Sequence, residues 1–161
     1  MSSERLHYLA GPMTGIAQFN FPAFDDAANR LRECGINVIS PAEMDDPETR
    51  AAALASVDGR LLNGASGGHT WGSFLARDVR IVADRVHGII FLPGWEKSRG
   101  ARLEAYVGIL CKHEFRLYLG NGRTEQVSPL YIFNQLIKET EIGYSRGESI
   151  QPQSPRHHQG G

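Results

Sequence analysis

The residues most able to do chemistry gather in Ser98-Arg99-Gly100-Ala101-Arg102-Leu103-Glu104, directly after the apolar run His87-Gly88-Ile89-Ile90-Phe91-Leu92. The run reads as a buried strand and residues 101–112 read as a helix, so the intervening loop falls at the carboxyl end of a strand. Open α/β sheets bind their ligands at such ends. A serine, a glycine and a glutamate converge there on one crevice. An ionised carboxylate beside a phosphate-sized hole suits attack on a sugar carbon.

Each of these residues also has a plainer reading. Glu104 lies about one turn into its helix, where the helix N-terminus, Arg99 and Arg102 favour its charged form. Surface glutamates are equally common there, and pattern alone favours that alternative. Asp78, between Arg77 and Arg80, is either a salt-bridged surface residue or a carboxylate aimed into the crevice, with nothing to choose between them. Asp84, near a helix end, reads as structural. Tyr8 sits in a strand, where tyrosine is more often core than catalytic. Trp71 and Trp95 adjoin loops, where each could stack on a flat ligand or simply pack. The turn Gly11-Pro12-Met13-Thr14-Gly15 exposes backbone N–H groups that can receive an anion, or else only reverses the chain.

Alternating strands and helices must position these groups. Residues 6–10 form a short apolar strand. Residues 21–33 follow as a helix, with Phe24, Ala27, Ala28 and Leu31 on one face and Asp25, Asp26, Arg30 and Arg32 on the other. Gly35 stands where the helix stops. A second strand at 36–39 completes a βαβ unit, whose strands pair in parallel. Residues 48–62 are compatible with a helix and 63–68 with a flexible loop. A helix over 71–83 packs through Phe74, Leu75, Val79 and Val82. Residues 115–119 give a fourth strand and 130–137 lie in a final helix. The pattern predicts a three-layer α/β domain with a mostly parallel sheet over residues 1–142, and a disordered polar tail over 143–161.

The 161 residues suffice for one domain with a real core. Seventeen basic against 18 acidic side chains leave a net charge of -1, which argues against a nucleic-acid polymer or an anionic membrane as main partner. Cys34 and Cys111 are widely spaced and lack neighbouring ligand residues, so they read as buried thiols in a reducing compartment. His157-His158 is too short to argue for a metal. The N-terminus has no apolar signal region, and a cytoplasmic protein is expected.

Taken in order, Tyr8-Leu9-Ala10-Gly11-Pro12-Met13, Trp71, Asp78 before Ala83-Asp84, Ser98-Arg99-Gly100 and Glu104 resemble the nucleoside 2-deoxyribosyltransferase superfamily, and within it the DUF4406 branch. The resemblance spans roughly residues 6–118. It implies a Rossmann-like, flavodoxin-like fold, a homodimer or higher homo-oligomer, and cleavage of N-glycosidic bonds without cofactor or metal. By the same resemblance Glu104 is the nucleophile at C1′, Asp78 assists the sugar and the leaving base, and Tyr8 holds the nucleophile. Ser98 stands where free-nucleoside transferases carry an aspartate and where nucleotide N-hydrolases carry a serine. That implies a nucleoside 5′-monophosphate substrate, since a hydroxyl donates to phosphate where a carboxylate repels it. Gly11 to Gly15 and Gly100 would join Ser98 around the phosphate, and Ser128 matches weakly a serine that reaches it from a neighbouring subunit. The first loop departs from the hydrolases, offering Met13-Thr14 in place of their arginine. Phe19, Asn20, Glu43 and Trp71 are candidates for the base pocket. The expected activity is hydrolysis of the base–sugar bond through a glutamyl–sugar intermediate; base exchange, or nucleotide binding without turnover, are the alternatives.

Overall fold

The computed structural model describes residues 5–60 and 69–143. Five strands form one sheet: β1 (Leu6–Ala10), β2 (Asn37–Ile39), β3 (Gly88–Phe91), β4 (Glu114–Gly120) and β5 (Arg123–Val127). Their order is β2-β1-β3-β4-β5. The first four run parallel, with Tyr8 opposite Ile39 on one side and Ile89 on the other, while β5 pairs antiparallel to β4. The result is a Rossmann-like α/β fold. The sheet extends from β1 in one direction through β2 and in the other through β3, so a crevice opens between the loops that leave β1 and β3.

Among the described residues, five α-helices connect or flank the strands: α1 (Phe21–Glu33), α2 (Pro47–Ala55), α3 (Trp71–Asp84), α4 (Arg99–Leu110) and α5 (Pro129–Gly143). Local chemistry fixes their starts. Asp46 accepts from the Glu48 and Thr49 amides to cap α2, Thr70 and Ser73 form a reciprocal capping box on α3, and Ser98 accepts from the Ala101 amide at α4. In α1 the predicted stripe Phe24, Ala27, Ala28 and Leu31 is buried completely, and Gly35 leaves the helix at φ +78°.

Alternate residues of β1 enter different cores. Tyr8 and Ala10 pack with Ile89, Phe91, Trp95, Ala105 and Phe115, whereas Leu9 packs with Phe24, Leu31, Ile90 and Leu92. Full burial of each large side chain contributes roughly 1.5–3 kcal/mol. This alternation has a consequence for chemistry, because Tyr8 can be core residue and site residue at once.

Several expectations change. Helix α2 ends at Ala55, short of residue 62, where Ser56 turns extended. Strand β5 is additional to those read from the pattern. Cys34 and Cys111 are exposed, since they fall at the C-caps of α1 and α4 and point away from both cores. The expected loop at 63–68 and the tail beyond Gly143 lie outside the described residues. Among the described residues, no helix is long and apolar enough to cross a membrane.

Candidate active site

A cavity of about 1360 Å³ opens at the carboxyl ends of β1 and β3. The loops after these strands, the first turns of α3 and α4, and α2 with the segment after it supply its walls. Two close approaches make the opening possible. Gly11 runs so near β3 that a Cβ there would lie 2.9 Å from Leu92 Cβ, and Gly94 turns the β3 loop at φ +83°.

Tyr8, Asp78 and Glu104 all line this cavity and all are buried. They come from three elements: β1, the middle of α3, and α4. The Tyr8 hydroxyl donates to Glu104 Oε1 at 3.1 Å. Arg77 Nε donates to Asp78 Oδ1 at 2.8 Å, and its Nη1 to Asp45 Oδ1 at 2.6 Å. Asp45–Arg77–Asp78 therefore makes a continuous charged chain beside the Tyr8–Glu104 pair. Among the described residues, no three His, Cys, Asp or Glu side chains gather closely enough to hold a metal ion.

The electrostatics of Glu104 correct the expectation of an ionised carboxylate. Burial and then the negative charge of Asp78 raise it from the ordinary 4.5 to about 8, outweighing the Tyr8 hydrogen bond and the Arg77 charge. The arginines expected to stabilise its charge face elsewhere. Arg99 stacks on Trp71 at 4.6 Å, and Arg102 donates to the carbonyls of Glu96 and Leu136. Glu104 also stands beyond the first helical turn, where the N-terminal field has largely decayed. This environment favours its protonated form. Burial raises Asp78 too, but Arg77 opposes that directly, so the two carboxyls differ in environment. Tyr8 is pushed well above the usual phenol range by burial first and then by Glu104, and it stays a hydrogen-bond donor.

Of the other expected site residues, Gly11, Pro12, Met13, Thr14, Phe19, Trp71, Ser98 and Gly100 line the same cavity. Ser98 is engaged at both ends of its hydroxyl, donating to the Gly11 carbonyl at 3.4 Å and accepting from the Ala101 amide at 3.3 Å. It thus ties the β1 loop to the start of α4. Four candidates stand outside the lining. Gly15 donates its amide to the Gly59 carbonyl, and Asn20 donates to the Pro12 carbonyl at 2.9 Å. Glu43 is drawn off by a two-pronged pair with Arg32, both contacts at 2.7 Å. Ser128 lies at the opposite end of the sheet, because antiparallel β5 returns the chain to the level of Phe115, and there it accepts from the Tyr131 amide. Trp95, which could have stacked on a ligand, is buried against Phe91 with ring centroids 4.2 Å apart.

Asp45, Arg77 and Lys97 line the cavity without having been proposed as site residues, and so does Arg99, which the sequence offered only as a charge near Glu104 and as part of the Ser98 motif. Asp45 and Arg77 meet across 32 positions of sequence, which no spacing rule reveals. Lys97 and Arg99 flank Ser98 directly, and that adjacency was a readable signal for an anion. A further feature is the run Gln18, Phe19 and Asn20, whose φ angles of 56°, 49° and 60° are all left-handed. Such residues cost about 1–2 kcal/mol each. Hydrogen bonds from Asn20 to Pro12 and from the Gln18 amide to the Ser56 carbonyl hold the turn, which presents Phe19 to the cavity.

Fold and site together define a Rossmann-like α/β domain with a buried tyrosine and two buried carboxyls where its strand order reverses. The chain belongs to the family described as Domain of unknown function (DUF4406), whose model matches residues 6–114. The matched span holds Tyr8, Asp78, Ser98 and Glu104 and ends before β5. No curated protein matches the chain.

Proposed function

We propose that the protein is an N-glycosidase that hydrolyses the base–sugar bond of a nucleoside 5′-monophosphate, as a member of the nucleoside 2-deoxyribosyltransferase-like superfamily. The observation that carries this reading is the burial of Glu104 at the cavity, held by Tyr8 and set against Asp78. A pair of carboxyls holding one proton between them is the state that base departure needs. The proton passes through Asp78 to the base as the C1′–N bond breaks and its electron pair stays on the base nitrogen. Glu104, now a carboxylate, forms the ester bond to C1′. Water then gives a proton to Asp78 and attacks C1′, the ester breaks, and the sugar phosphate leaves with retained configuration.

The phosphate end of the reading draws on the cavity rim. Lys97 and Arg99 flank Ser98 there, and neither has a carboxylate partner among the described residues. They supply the positive charge that the first loop lacks. Trp71, Phe74 and Leu75 offer an apolar wall for a base.

The finer architecture we propose is a three-layer flavodoxin-like sandwich in a cytoplasmic homo-oligomer. The two cores fed by alternate β1 residues support the layers. Leu103, Tyr106 and Leu110 on α4, with Leu130, Phe133 and Ile137 on α5, form exposed apolar stripes that support the oligomer. Light scattering tests the latter.

The activity is tested by incubating the protein with a panel of ribo- and deoxyribonucleoside 5′-monophosphates and their unphosphorylated forms, and measuring free base. Release from a monophosphate, lost in Glu104→Ala, is expected. Adding a second base separates exchange from hydrolysis, and a nucleotide that binds but outlasts the incubation unchanged would sink the enzymatic reading.

A further inference from the structure

Asp45 and Arg77 have no role yet in the scheme above, although both are built into the cavity wall. The Asp45 side chain is only 7% exposed and lies on the loop between β2 and α2, far in sequence from the helix it grips. Arg77 is held from both ends, by Asp45 at 2.6 Å and Asp78 at 2.8 Å, with its guanidinium 5.4 Å from the Phe74 ring centroid. A guanidinium fixed at two anions has no freedom to swing toward a substrate. Its work must be done on Asp78.

The charge count of this set makes that work specific. Tyr8 from β1, Asp45 from the β2–α2 loop, Arg77 and Asp78 from α3, and Glu104 from α4 are the ionisable groups that act on one another here. One cation faces three carboxyls. Two of them, Asp45 and Asp78, touch it; Glu104 accepts instead from the neutral Tyr8 hydroxyl.

Resting on the glycosidase reading, we propose that Asp45 and Arg77 are positioning residues: Asp45 anchors Arg77, and Arg77 clamps Asp78 as the ionised member of the pair, leaving the single proton on Glu104 until substrate arrives. The arrangement orients the Asp78 carboxylate as the relay to the base. It also keeps Glu104 uncharged, and so cheaply buried, in the empty cavity.

The test combines the pH dependence of base release with the ¹³C carboxyl titration of glutamate-labelled protein, the Glu104 signal being assigned by its loss in E104Q. In Arg77→Gln the Glu104 titration and the alkaline limb of kcat/KM move upward by about one pH unit or more, because the positive charge that favours the ionised form of Glu104 is gone. Arg77→Lys keeps the charge, so the limb stays while kcat falls about tenfold through lost two-point geometry. Asp45→Asn moves the acid limb downward, since the negative charge opposing ionisation of Asp78 is removed, and lowers kcat with little change in KM. A Glu104 titration unchanged in R77Q, together with an acid limb unchanged in D45N, overturns the proposal, and the acid limb of D45N alone decides it should R77Q fail to fold. Titrations that move as expected in a protein that releases no base would leave this charge arrangement standing and remove the glycosidase reading instead.

Discussion

The two ends of the sheet each hold a glutamate, half-buried Glu114 at one and buried Glu104 at the other, and they treat it in opposite ways. At the amino end Glu114 receives His7 Nε2 at 2.5 Å, Arg5 Nη1 at 2.6 Å and Arg116 Nε at 3.5 Å. Burial pushes its carboxyl up, but the hydrogen bonds from His7 and Arg5 and the charges of His7 and Arg116 together bring it below the ordinary value. At the carboxyl end Glu104 is enclosed with a tyrosine hydroxyl and a second acid, and it rises to about 8. His7 and Tyr8 are adjacent in β1, so one strand serves both ends. A carboxylate surrounded by cations is a structural tie; one denied them is held ready to exchange a proton.

Removing each glutamate should separate the two roles, and this is the largest expected effect. Glu104→Gln lowers the rate of base release by roughly 10³-fold or more, the scale of losing a nucleophile. Glu114→Gln leaves kcat within about twofold and lowers unfolding stability by about 2 kcal/mol, since Arg5 and His7 lose a charged acceptor. Urea titration alongside the base-release assay checks both. Equal loss of activity in the two variants would break the comparison.

The same pair differs in the sign of its pH dependence. Glu104 binds its proton more tightly folded than unfolded, so its contribution to stability is full below about pH 4.5 and declines as pH rises to about 8. Glu104→Gln abolishes that decline. Its melting temperature should match the wild type near pH 5 and exceed it at pH 9, by an amount equivalent to roughly 3–5 kcal/mol. Glu114 is lowered, so its contribution is present above the unfolded carboxyl value and is lost as pH falls through the folded one. Glu114→Gln should therefore cost stability at pH 7 and cost less at pH 3. Melting curves across pH read both effects.

Catalysis gives a sharper and smaller signal. With one shared proton required, kcat/KM should fall above about pH 8 as Glu104 loses it, and Glu114→Gln should leave that limb in place. A rate that rises through pH 8 and stays high would mean that the pair works without its proton.

How far the sequence disclosed all this follows the same division. The β1–α1–β2 unit and β3 were legible because apolar periodicity and Gly35 mark them directly. Strand β5 was not, since Arg123-Thr124-Glu125-Gln126-Val127 is polar and mostly exposed at the sheet edge. Its one signal was Asn121-Gly122, a hairpin turn whose residues both take positive φ. Tyr8, Asp78 and Glu104 were singled out in the sequence, and the fold brings all three to one cavity. Their electrostatics were not legible, because Arg99 and Arg102 adjoin Glu104 in sequence yet face Trp71 and the Glu96 and Leu136 carbonyls. Asp45 and Arg77 met only through the fold.

The smallest expected effect concerns strained backbone, again at both ends. Lys112, exposed at the α4–β4 turn, has φ 59°, and Gln18, exposed beside the cavity, has φ 56°. Glycine relieves about 1–2 kcal/mol at such a position and gives back part of it in unfolded-chain entropy, a net gain of roughly 0.5–1 kcal/mol. Lys112→Gly should show that gain with unchanged activity. In Gln18→Gly the same gain should come with a loss of a few fold in kcat/KM, because Gln18 begins the left-handed run that holds Phe19 against the cavity. Denaturant midpoints and base release measured on the two variants give the answer. If both gain stability and neither loses activity, the left-handed run is only a turn and the strain at the carboxyl end has no part in the site.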